Sequence, residues 1–132
     1  MLVLDTSALV EALVGRNPDP ALVARLAHDG DLAAPHLLDV EFLHALRRLV
    51  GRGQVSADRA ADARADFADL SIIRFPHHPL ADRMWDLRDN LTAYDAVFVS
   101  LSEALGVPLI TCDGRLASAP GHHAVVELFA PT

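Results

Sequence analysis

Five short apolar runs alternating with helical patterns constrain this chain more than any other feature. Leu2-Val3-Leu4, Leu32-Ala33-Ala34-Pro35, Ser71–Phe75, Val107–Thr111 and Ala124–Leu128 have the length and composition of buried strands. Helical stretches lie between them: Ala8–Val14, Ala21–Ala27, Leu37–Val50, Ser56–Leu70, Leu80–Asn90, Thr92–Leu105 and a short one near Gly114–Ser118. Local chemistry punctuates the pattern. Asn17-Pro18-Asp19-Pro20 breaks the chain, Gly51, Gly53 and Gly106 follow helix ends, and Ser56 is placed to cap a helix start. In Leu37–Val50, Val40, Leu43, Leu46, Leu49 and Val50 recur at helical spacing and mark a strong helix. Parallel strands need crossover connections, usually helices, so the alternation predicts a three-layer α/β/α fold around a mainly parallel sheet. At 132 residues, one domain spanning 1–132 is expected, with no internal repeat or linker.

Such a sheet gathers functional groups at one edge, outside the carboxyl ends of its strands. Asp5 directly follows the first strand, and Asp113 follows the strand ending at Thr111. Crossover helices run opposite to the strands, so their early turns reach the same edge. Asp95 falls in the first turn of Thr92–Leu105, and Glu41 in the early turns of Leu37–Val50. Each acid also has an ordinary structural job available. Asp5 can be the polar end of a strand, Asp95 part of a capping box with Thr92, and Asp113 the N-cap of a short helix. Glu41 fits such a job least, because Leu37, Leu38, Val40, Phe42 and Ala45 surround it. A carboxylate among apolar neighbours needs a partner. Four acids at one edge would repel one another, and a hard divalent cation, Mg²⁺ or Mn²⁺, is the usual remedy. The expectation is metal-dependent phosphodiester hydrolysis.

Composition narrows the alternatives. The net charge is −7, which argues against nucleic-acid binding by a broad basic surface. All eleven basic residues are Arg, so chemistry that requires lysine is excluded. The lone Cys112 cannot form an internal disulfide, as suits a cytoplasmic protein. No apolar run approaches the roughly 20 residues of a membrane helix, and the N-terminus meets Asp5 too soon for a signal peptide.

These residues resemble the PIN-domain ribonucleases, and within them the VapC-type toxins of bacterial toxin–antitoxin pairs. The matching pieces are Leu2-Val3-Leu4-Asp5-Thr6-Ser7-Ala8, Glu41 in a helix continuing through Ala45-Leu46-Arg47-Arg48, and Leu91-Thr92-Ala93-Tyr94-Asp95-Ala96 running on to Thr111-Cys112-Asp113. The resemblance implies a PIN fold, Mg²⁺- or Mn²⁺-dependent endoribonuclease activity on structured RNA such as tRNA or rRNA, and Asp5, Glu41, Asp95 and Asp113 as the catalytic, metal-holding acids. It also implies a homodimer and a VapB-type antitoxin partner. His44 stands where this family often carries Asn, one turn from Glu41 and in position to hydrogen-bond it, although an ordinary packed or solvated histidine is its default. His77-His78 and His122-His123 lie near Pro or Gly and are expected in loops.

Two ions roughly 4 Å apart would suffice for hydrolysis without a catalytic His or Lys. Thr6, Ser7 and Thr111 offer hydroxyls beside the acids, as supporting donors or phosphate contacts. Arg115 is the best-placed cation for the substrate, with Arg16, Arg47, Arg48 and Arg52 as further candidates. Leu9, Val10, Leu13, Leu22, Val23 and Leu26 are candidates for an antitoxin groove, although core positions are their default. Rival readings fare worse. An aspartyl-phosphate phosphatase wants a second acid where Ser7 stands, and a receiver domain wants a lysine. A catalytically silent interaction module is the remaining alternative.

Overall fold

The computed structural model describes residues 1–28 and 30–130. Its sheet has five strands: β1 (Leu2–Leu4), β2 (Leu32–Pro35), β3 (Ile72–Phe75), β4 (Leu109–Thr111) and β5 (Val126–Leu128). They pair in the order β3-β2-β1-β4-β5, and every pairing is parallel. The helices are α1 (Thr6–Val14), α2 (Pro20–His28), α3 (Leu37–Gly51), α4 (Ala57–Asp69), α5 (Ala81–Asp86), α6 (Ala93–Leu105) and α7 (Gly114–Ser118). A 3-10 turn, His78–Leu80, precedes α5 and takes the start of the longer helix expected at Leu80–Asn90.

The strand order records two excursions. From β1 the chain steps outward to β2 and β3, then returns to the other side of β1 for β4 and β5. Right-handed crossovers therefore put α1–α4 on one face and α5–α7 on the other. The reversal falls between β1 and β4, the junction where parallel sheets open a crevice for ligands. Strands buried on both faces need continuous apolar runs, and β1 and β4 are fully buried. Leu2, Leu4, Leu9, Leu22, Phe42, Phe98 and Ile110 lie in one contiguous core with β2 and α6 residues.

Helix ends follow their sequence signals. Ser56 Oγ accepts from the Arg59 amide at the start of α4, and Thr92 Oγ1 accepts from the Asp95 amide at the start of α6. Gly106 ends α6 at φ +65°, where a side chain would be strained. One end has a cap that sequence did not indicate. His77 Nε2 accepts from the Leu37 amide at 2.8 Å, anchoring the start of α3. His77 is a loop residue with a structural job.

Of the apolar residues at helical spacing in α3, Leu46 is buried and Leu49 and Val50 pack against the core. Leu38 and Phe42 are also buried, whereas Val40 is 65% exposed and Leu43 47%. Both registers contain apolar residues at helical spacing, and the larger Phe42 ring, packed 4.7 Å from that of Phe67, decides which one faces inward. Leu9 and Leu22, expected as groove candidates, are fully buried and belong to the core. Val10, Leu13 and Leu26 pack against that core, and only Val23 of the six is largely exposed.

Candidate active site

At the reversal point a single residue, Asp5, separates the end of β1 from the start of α1, so Asp5 sits at the mouth of the crevice. Its backbone amide donates to the Ile110 carbonyl at 3.0 Å and continues the β1–β4 ladder. Its side chain is 5% exposed, deep for a carboxylate. Hydroxyls compensate. Ser7 Oγ and Thr111 Oγ1 donate to the same oxygen, Oδ2, at 2.6 and 2.8 Å. Both are held from behind, since Ser7 Oγ accepts from the Cys112 amide and Thr111 Oγ1 from the Asp113 amide. Two relays thus tie the end of β4 to Asp5. Desolvation still prevails, and the Asp5 pKa lies above the ordinary carboxylate range despite these bonds.

The other acids arrive on separate elements. Glu41 projects from α3 and takes a 2.6 Å bond on Oε1 from Thr6 Oγ1, at the start of α1. Burial pushes its pKa up, partly opposed by that bond, and the charges of Asp5 and Asp95 push it further. Asp95 sits in the first turn of α6 and is raised by burial, then by Asp5 and Asp113, with Thr92 and Arg115 pulling the other way. Asp113 caps α7, accepting from the Arg115 amide at 3.0 Å. The capping roles open to Thr92 and Asp113 are therefore real, and they coexist with convergence on one cavity.

All four acids line a single cleft of about 530 Å³. The same cleft is lined by Thr6, Ser7, Leu37, Val40, His44, Ala45, Arg48 and Tyr94. Leu37, Val40, Glu41, His44 and Arg48 form one face of α3, so the periodicity around Glu41 was the signal for its neighbours. Tyr94, 64% exposed at the cleft, was signalled only by adjacency to Asp95. His44 is exposed and makes no hydrogen bond to Glu41, whose donor is Thr6. Arg115 does not line the cleft, but its charge reaches Asp95. Arg47 and Arg52 lie in an adjacent groove, and Arg16 in another. Cys112 is no nucleophile here, because burial and nearby acids push its thiol to about 11.

Among the described residues, no three His, Cys, Asp or Glu side chains stand close enough together to ligate an ion directly. The donor set nonetheless suits a small hard cation. It is all carboxylate and hydroxyl, three of its acids are held above their ordinary pKa, and Mg²⁺ keeps several waters rather than a full protein cage.

A five-stranded parallel sheet with an acid-lined cleft at its reversal point places the chain among the α/β proteins. The PIN domain family matches residues 2–121, and the chain belongs to that family. It is 42% identical to ribonuclease VapC1 of Mycobacterium tuberculosis over 127 residues, 96% of each chain. It is also 42% identical to ribonuclease VapC12 of the same organism over 130 residues, 98% of this chain and all of the relative. The crystal structure of VapBC2 from Rickettsia felis, bound to a DNA fragment from their promoter, superimposes with a TM-score of 0.69. That match covers 97% of this chain and 98% of the other at 16% identity, a likeness of fold.

Proposed function

We propose that the protein is a divalent-metal-dependent endoribonuclease, the toxin of a VapBC-type toxin–antitoxin pair, cleaving structured RNA such as tRNA or rRNA. The observation that carries it is the convergence of Asp5, Glu41, Asp95 and Asp113 on one cleft, in a chain so similar to VapC ribonucleases. A cognate VapB-type antitoxin and a homodimer belong to the same proposal.

Asp5, Asp95 and Asp113, with Glu41, would hold Mg²⁺ or Mn²⁺. A bound divalent ion supplies Lewis acidity, a positive charge set against the phosphoryl oxygens and the leaving group. The chain's own residues supply placement. Ser7 and Thr111 fix the rotamer of Asp5, and their bonds partly offset the cost of burying its charge. Thr6 holds Glu41 by Oε1, which leaves Oε2 to orient the attacking water and accept its proton. Arg48 at the cleft wall and Arg115 beside Asp95 offset the charge of an incoming phosphodiester. Splayed bases in loops or single strands give the strand freedom to enter.

The test is incubation of the purified protein, free of antitoxin, with total bacterial RNA, with and without Mg²⁺ or Mn²⁺, mapping new 5′ ends. A few discrete, metal-dependent sites that vanish in Asp95→Asn are expected. No cleavage under any metal would favour the silent interaction module.

A further inference from the structure

Eleven arginines are the chain's whole supply of permanent positive charge. Several are committed. Arg25, Arg74 and Arg83 each grip a carboxylate through two nitrogens, on Glu127, Asp39 and Glu103. Arg59 donates to the carbonyls of Leu13 and Gly15, and Arg88 to that of Trp85, whose ring it covers. Among the described residues, the guanidinium groups of Arg47, Arg48, Arg52 and Arg64 have neither a hydrogen bond nor an ion pair. These four line the same groove between α3 and α4, about 700 Å³ in volume. Its floor is apolar, with Leu43, Leu46 and Val50, and no carboxylate lines it.

Four uncompensated cations in a protein of net charge −7 form a local field opposite to that of the whole. Arg48 lines both this groove and the acid cleft, so the two adjoin at that residue. The cleft itself repels a polyanion, and a strand must be drawn to it by cations just outside. We propose that the α3–α4 groove is the track along which the sugar–phosphate backbone of the RNA substrate runs into the acid cleft, with Arg48 at the junction. The inference rests on the ribonuclease reading and specifies where the strand lies. Apolar floor and arginine rim suit a single strand, whose bases pack against the floor while phosphates follow the rim.

The test is RNA binding without cleavage. The Asp95→Asn protein, in EDTA, is titrated against a fluorescent single-stranded RNA of roughly twenty nucleotides, long enough to cover cleft and groove, over a series of salt concentrations. Adding Arg52→Gln and Arg64→Gln, both away from the cleft, should weaken binding and lower the log–log salt slope by about 1.4, two phosphate contacts at roughly 0.7 each. Arg52→Lys with Arg64→Lys should retain most of that slope. Unchanged affinity and slope in the Gln variant would overturn the proposal, as would the absence of RNA binding by the parent. An acidic amphipathic peptide that loses affinity in the Gln variant while RNA does not would assign the groove to a protein partner. Arginine-dependent binding together with a wild-type protein that never cleaves would defeat the ribonuclease reading and leave the groove as an RNA-binding surface.

Discussion

Asp39 and Glu41 stand two residues apart on α3 and are treated in opposite ways. Asp39 accepts two bonds from Arg74, at 2.6 and 2.9 Å. Glu41 turns into the cleft, where burial and the charges of Asp5 and Asp95 hold its proton more tightly than usual. The same contrast separates Glu103, whose carboxyl is lowered by its bond to Arg83, from Asp95, which is raised. Arginine is available to this fold and is placed on other acids. At the reversal point carboxylates face carboxylates, which lowers the stability of the metal-free fold. Groups that cost stability where they stand are the ones that answer to a ligand.

The sharpest way to break the comparison is to neutralise one cleft acid. Asp95→Asn should reduce cleavage by roughly a thousandfold or more, about 4 kcal/mol of transition-state stabilisation. The same change should leave the metal-free melting temperature equal to or above that of the wild type, since it removes a repelled charge. A destabilised Asp95→Asn protein would show that the acid is a structural cap and little more. Thr111→Val probes support rather than ligation. Removing a hydroxyl behind Asp5 should cost 10–100-fold in metal affinity or cleavage, an order-of-magnitude range. Mn²⁺ at about a hundred times its dissociation constant should raise wild-type stability by about 2.7 kcal/mol, and much less in Asp95→Asn.

Acidity separates the two groups of carboxylates by sign. Asp5, Glu41 and Asp95 have raised pKa values, so the folded state binds their protons more tightly than the unfolded chain does. Their stability deficit is complete above the raised values and is relieved as pH falls toward the ordinary carboxylate range. Glu103 has a lowered pKa and behaves oppositely, losing its contribution as pH falls through that lowered value. In EDTA the protein should therefore melt higher at mildly acidic pH than at neutrality and lose stability only at stronger acidity. A melting temperature that falls steadily from neutrality downward would contradict the cluster. The smallest effect belongs to the paired surface. Arg83→Ala should cost no more than about 1 kcal/mol and leave cleavage unchanged.

Much of this arrangement was legible in the chain, because strand–helix alternation fixes a parallel sheet and a parallel sheet fixes which edge is functional. Asp5, Asp95 and Asp113 could be placed there by counting from strand and helix ends. The hydroxyls of Thr6, Ser7 and Thr111 were visible as neighbours of acids, but the convergence of Ser7 and Thr111 on one oxygen of Asp5 depends on the β1–β4 pairing. The rotation of α3 was not legible, since the exposed Val40 and Leu43 are apolar like the residues that are buried. Periodicity gives a helix its stripe, and tertiary volume chooses between two stripes. The cap that His77 gives α3 was hidden for a related reason, as 40 residues separate donor and acceptor.

The central claim is that the four acids are gathered for a divalent cation. Its most direct test is Mn²⁺ titration, followed by loss of the free-ion electron paramagnetic resonance signal, for the wild type and Asp95→Asn. Saturable binding by the wild type, weakened at least tenfold in the variant, is expected for ligands acting together. Equal binding by both proteins, or none by a folded wild type, would contradict it.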